Sequence, residues 1–100
     1  MKLRKELLWF AQEMEAKLRE NDHKGGWQGC RFAALFPRLR DECDELLVKA
    51  HPLQLDTIAE TLSTEDACQL IHECADISNF AMMIADNIRL KIAAAKGGAK

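Results

Sequence analysis

The chain has no tyrosine, only two prolines and five glycines in 100 residues, and aromatic side chains make up 6% of it. With so few breakers, and with Leu, Ala, Glu and Lys dominating, the composition favours helix. No run alternates apolar and polar residues in the strand manner, and no repeat period is visible. Long apolar runs are missing as well, which excludes a membrane-spanning segment. Met1-Lys2-Leu3-Arg4-Lys5-Glu6 lacks the apolar core of a signal peptide. Neither sign of charge is in excess: 14 basic and 16 acidic side chains leave a net −2. Bulk electrostatics therefore gives no reason to expect nucleic acid or a membrane surface as partner. Cys30, Cys43, Cys68 and Cys74 form no Cys-x-x-Cys pair and no disulfide-dense pattern, and read as reduced thiols of a cytoplasmic protein. His23, His51 and His72 lack the spacing that would complete a zinc site.

What is present is helical periodicity. Leu3, Leu7, Phe10, Met14 and Leu18 recur at steps of three and four, predicting a first helix over about residues 2–20 that stops at Asn21 and Gly25-Gly26. Phe32, Leu35, Phe36, Leu39, Cys43, Leu46, Leu47 and Ala50 mark a second, with Pro37 expected near its start and His51-Pro52 at its end. Residues 53–62 suit a short helical piece. Ser63-x-x-Asp66 resembles a capping box, opening a third long helix that runs to about residue 95. On that helix Leu70, Cys74, Ile77, Ala81, Ile84 and Ile88 centre an apolar face. Ile71, Phe80, Met82 and Met83 widen it, and His72, Asn79 and Asp86 form the polar strip. A helix so widely apolar is the expected centre of a bundle. One all-α domain over residues 1–95 is expected, with 96–100 as a mobile tail. About three helices cannot cover that apolar surface alone, so a homo-oligomer is expected, a dimer or a dimer of dimers.

The acids are the second signal. Glu42 with Glu45, Glu73 with Asp76, and Asp41 with Asp44 are spaced i,i+3, which puts each pair on one helix face. Chance gives about two or three such pairs in a helix-rich chain of this acidity, so the number of pairs decides nothing. Position decides more. Glu73 projects between Phe80 and Ile84 inside the apolar arc, Asp76 lies at its edge, and Glu42 flanks Leu35 on the second helix. Carboxylates are seldom buried without compensation. Two such pairs facing each other repel unless a cation sits among them, and an all-oxygen set suits Mg²⁺ or Mn²⁺. The alternative is a solvated face: Arg38–Glu42 and Glu45–Lys49 are also i,i+4 ion-pair spacings. The two readings place Glu73 differently, in a cleft shared with the other acids or paired with a lysine on the outside of the bundle.

The loop Asn21-Asp22-His23-Lys24-Gly25-Gly26-Trp27-Gln28-Gly29 is the third. Its glycines let backbone approach a ligand, Lys24 can meet a phosphate, and Trp27 can stack on a base. The alternative is a plain turn with Trp27 folded onto the core.

Together these segments resemble the MazG-like nucleotide pyrophosphohydrolases, an all-α family with a Glu-x-x-Glu … Glu-x-x-Asp pattern. That pattern reads here as Glu42-Cys43-Asp44-Glu45, a gap of 27, and Glu73-Cys74-Ala75-Asp76, with Lys24-Gly25-Gly26-Trp27 ahead of it. The resemblance covers about residues 7–90. It implies an antiparallel helical bundle completed by oligomerisation, and Mg²⁺ (Mn²⁺ as substitute) held by Glu42, Glu45, Glu73 and Asp76. It further implies hydrolysis of a nucleoside triphosphate to monophosphate and pyrophosphate by attack at the α-phosphorus, in a nucleotide house-cleaning role. Glu45 or Glu42 would activate the water. Lys24 and Arg38 would neutralise phosphate, Asn79 would meet sugar or phosphate, and Trp27 would support the base. The same family includes phosphoribosyl-ATP pyrophosphatase. Outside the enzymes, a nucleotide-binding sensor or a helical interaction module fits the same composition. The short stretch between the acidic helices leaves few residues to select a base.

Overall fold

The computed structural model describes residues 1–58 and 62–98. Its helices are α1 (Lys5–Glu20), α2 (Phe32–Ala50), the single turn α3 (Leu55–Ile58) and α4 (Thr64–Gly98), with 3₁₀ turns at Asp22–Lys24 and His51–Leu53. No strand occurs among the described residues, and no helix among them is long and apolar enough to cross a membrane.

Local chemistry explains each boundary. Past Glu20, Asn21 turns its side chain back onto the Lys17 carbonyl (3.1 Å) while its backbone N–H bonds Leu18 O. Gly25 then closes the 3₁₀ turn onto Asp22 O at a φ of 91°, a conformation that disfavours side chains. Pro37 lies inside α2, in its second turn rather than at its first residues. The missing N–H costs one helical bond there, and packing of the helix on α4 outweighs it. Pro52 converts the end of α2 into 3₁₀ geometry, as expected of His51-Pro52. Of the short helical piece expected over 53–62, α3 supplies four residues, and 59–61 lie outside the described residues. Ser63 Oγ accepts the Asp66 N–H at 3.0 Å, the forward half of a capping box, and α4 begins there. That helix continues to Gly98, beyond the expected end near 95, and 99–100 lie outside the described residues.

α4 is the centre: α1 and α2 both pack on it. The face it buries is only partly the expected one: Leu70 is buried and Cys74, Ile77 and Ile84 are half-buried, but polar residues lie deeper. Ala75, Asn79, Glu73, Leu70 and Asn87 are its most buried residues, whereas Ala81 and Ile88 from the expected apolar centre are exposed. The reason is hydrogen bonding. Asn79 donates to Met14 O (3.0 Å) in α1, and Asn87 to Trp27 O (3.0 Å) and Cys30 O (3.4 Å), so both asparagines tie α4 to its neighbours.

The interior is thin. Among the described residues, only Leu35, Leu70 and Ala75 are buried apolar residues, while Leu7, Leu8, Trp9, Phe36, Leu47 and Val48 are among the large apolar side chains left exposed. The accessible surface is 7874 Å², against about 5,700 Å² for a compact monomer of this mass. The radius of gyration is 16.7 Å, against about 13 Å.

Candidate functional site

Three acids come together. One carboxylate oxygen from each of Glu42 on α2 and Glu73 and Asp76 on α4 lies within 4.8 Å of the other two. For atoms so placed, some point lies within about 2.8 Å of all three, and oxygen ligands hold Mg²⁺ at about 2.0–2.1 Å and Ca²⁺ at about 2.3–2.6 Å. Closing by less than about 1 Å would therefore bring the set to bonding distance. Glu73 is only 8% exposed, and its Oε2 has no hydrogen-bond partner. A buried carboxylate oxygen with nothing to compensate it is costly, which fits a donor set awaiting positive charge. Glu45 stands apart: it is exposed and outside the trio, yet close enough to share a hydrogen bond with Glu42.

Both sequence alternatives for Glu73 are realised in part. Its Oε1 receives the Lys49 ammonium at 2.5 Å, so Glu73 does pair with a lysine. The pair is not on the outside of the bundle at the Glu73 end, since that residue is buried beside Glu42 and Asp76. Neither the Arg38–Glu42 nor the Glu45–Lys49 ion pair forms among the described residues; Arg38 instead lies 5.0 Å over the Phe80 ring.

The electrostatics follow from crowding. Burial first, then the Glu45 and Asp76 charges and the bond to Glu45, push the Glu42 carboxyl up to about 7. Burial raises Asp76 too, partly offset by Lys17, whose Nζ lies 3.9 Å away. Burial disfavours the Lys17 ammonium, but Glu20 (3.1 Å) and Asp76 outweigh it and hold its pKa above the usual value. Burial and the Glu73 charge raise the Cys74 thiol. The bond to Glu73 stabilises the charged form of Lys49.

Beside the acids lies a cleft of about 370 Å³, within the range of small-molecule sites, about 300–1,000 Å³. The end of α1, the loop after it, α2 and α4 all contribute to its walls. Lys24, Trp27, Arg38, Glu42, Asp76 and Asn79 line it, so six of the eight expected side chains share one space; Glu45 and Glu73 do not line it. The Asn79 amide is oriented by its bond to Met14 O, which leaves Oδ1 buried and unpartnered.

Sequence reasoning missed four contributors. Lys17 and Lys49 flank the acids, and Asp86 and Asn87 hold the loop. Lys49 was visible only as an i,i+4 partner of Glu45, and Lys17 only as a charge beside the α1 stripe. Asp86 stood on the polar strip with no partner to suggest its role. No known family, curated protein or solved structure matches the chain.

Proposed function

We propose that the chain is a magnesium-dependent nucleoside triphosphate pyrophosphohydrolase, with Mn²⁺ able to replace Mg²⁺, that acts in nucleotide house-cleaning as a homo-oligomer. The observation that carries this reading is that Glu42 and Asp76, which form a trio with Glu73, line one cleft together with Lys24, Trp27, Arg38 and Asn79. The sequence resemblance to the MazG-like enzymes supports the choice of reaction.

Glu42, Glu73 and Asp76 would hold the divalent cation, with Glu45 at their side. When bound, the cation supplies the positive charge that lets an acidic cleft receive a polyphosphate. Lys24 and Arg38, which line the same cleft, neutralise phosphate oxygens. Glu42 or Glu45 takes a proton from the attacking water. Water oxygen joins the α-phosphorus and the bond to the β-phosphate bridging oxygen breaks, giving monophosphate and pyrophosphate. Trp27 forms a wall against which a base can stack.

The Lys49–Glu73 bond favours a second reading, in which lysines satisfy the acids and the cleft binds nucleotide without turning it over. Phosphorus NMR of the protein with Mg²⁺ and each common NTP and dNTP decides between them. Monophosphate plus pyrophosphate is the expected result. Inorganic phosphate plus diphosphate means γ-cleavage and a different enzyme class, and binding with no product means the second reading.

A further inference from the structure

We infer that Lys49 is a resident counter-ion, whose ammonium neutralises Glu73 until a divalent cation binds and which must then leave that carboxylate. The inference rests on the reading of Glu42, Glu73 and Asp76 as a cation site. Lys49 lies on α2 one turn beyond Glu45, yet its Nζ reaches across to Glu73 Oε1 on α4 at 2.5 Å. It bonds one of that carboxylate's two oxygens, and the buried Oε2 has no hydrogen-bond partner. Lys17 makes a looser contact with Asp76, 3.9 Å, and shares itself with Glu20 at 3.1 Å.

Only Lys17 and Lys49 stand beside Glu42, Glu45, Glu73 and Asp76, and Lys17 is shared with Glu20, so negative charge is in excess around the trio. A cation entering beside Glu73 meets the Lys49 ammonium at close range, and like charges in a partly buried setting repel strongly. The two groups differ in their freedom to move. The Lys49 side chain is 46% exposed and can swing its long stem into solvent, whereas Glu73 is packed inside. The lysine is therefore the group that yields. While it stays, it keeps the acids from repelling one another and lowers the apparent affinity for metal.

The test is calorimetric titration of the full chain with MgCl₂ and with MnCl₂, without nucleotide. The parent is compared with Lys49→Met, Lys49→Gln and Lys49→Arg, and circular dichroism monitors the fold. Removing the charge should tighten binding at least about tenfold, within the usual range for coupled ligands. Lys49→Arg keeps the charge and should stay within about threefold of the parent. In the unaltered protein, Mg²⁺ should also shift the Lys49 Nζ resonance in ¹⁵N-lysine NMR. Unchanged or weaker metal binding in the two neutral variants, or an unmoved Lys49 resonance while the parent binds metal, overturns the inference and leaves the metal site standing. No binding by any of the four proteins overturns the metal reading, and the inference falls with it.

Discussion

Trp27 donates its indole N–H to Asp86 Oδ2 at 2.9 Å, across 59 positions of sequence. The next residue, Asn87, donates to the Trp27 backbone carbonyl at 3.0 Å, so α4 holds the same residue by side chain and by main chain. Arg89 braces Asp86 from the other side at 2.7 Å. The two sequence alternatives for the loop thus coexist: Trp27 is anchored to the bundle and also lines the cleft. An anchored ring has little orientational freedom left to lose when a ligand arrives, which favours binding.

Replacing Trp27 tests this anchoring. Trp27→Phe keeps an aromatic face but loses the N–H, and bonds to charged groups contribute about 1.5–3 kcal/mol. It should lower the thermal midpoint and raise KM by several-fold. Trp27→Ala loses the face as well and should raise KM further, with kcat falling less, because stacking holds ground state and transition state alike. Kinetics showing equal, small effects from both would return the loop to a plain turn.

A pH prediction comes from the crowded acids. Glu42 and Asp76 both have folded-state pKa values raised above their unfolded values, Glu42 to about 7. The native state therefore binds more protons than the unfolded chain between the ordinary carboxylate range and about pH 7. Stability from these groups is fully present at the acid end and lost as pH rises through that window. Asp86 works oppositely, held low first by its Arg89 bond and then by Trp27, but its window lies below the ordinary aspartate range. Thermal melts in EDTA should show the metal-free protein more stable near pH 5 than near pH 8. Saturating Mg²⁺ should reverse that order; a metal-free midpoint that rises from pH 5 to 8 would count against the crowding.

Glu42→Gln and Glu73→Gln remove charge while nearly keeping shape. Each should reduce turnover at least about a hundredfold, or about 2.7 kcal/mol of barrier, and leave the helical dichroism intact. Glu42→Gln should also raise the metal-free midpoint at pH 8, because it relieves repulsion. If both variants unfold and the parent turns over no nucleotide, the acids are structural.

The uncovered surface predicts self-association. The chain exposes on the order of 2,000 Å² more than a compact monomer of its mass, and obligate dimers bury about 2,000–5,000 Å² in total. An apolar depression formed by residues that include Leu47, Val48, Pro52 and Leu55 at the end of α2 is one part of it. Light scattering should give a multiple of 11.3 kDa, and Val48→Glu, at a residue 72% exposed, should shift the mass downward. A stable 11.3 kDa parent at micromolar concentration removes the oligomer from the proposal.

The sequence made the helices legible because their stripes, caps and stops are local. Ser63, Asn21 and His51-Pro52 each act within a few residues of themselves. It also brought Glu42, Glu73 and Asp76 into one hypothesis, since helical phase alone placed carboxylates where apolar residues should be. Phase failed for the buried face of α4. Asn79 and Asn87 are buried because carbonyls of Met14, Trp27 and Cys30 await them, and nothing at positions 79 or 87 announces partners about 60 residues away. The Glu45–Lys49 spacing, one element of the solvated-face alternative, does not become a bond for a related reason: the folded chain offers Lys49 a more buried acid across the gap.

Asp76 and Asp86 belong to one uninterrupted helix, α4, and that fixes more than their proximity to the cleft. Ten residues of α-helix set the two apart by about 15 Å along the axis. One end of the site carries the acids and the other grips the aromatic loop, so the helix acts as a ruler between them. A single residue inserted between these positions would turn the loop anchor by about 100° about the axis as well as displacing it about 1.5 Å. Seven residues, about two turns, would restore the bearing but lengthen the span by about 10.5 Å. Bearing and span cannot be recovered together by any insertion, so a change of ligand length smaller than about 10.5 Å must be accommodated in the loop and not in the helix.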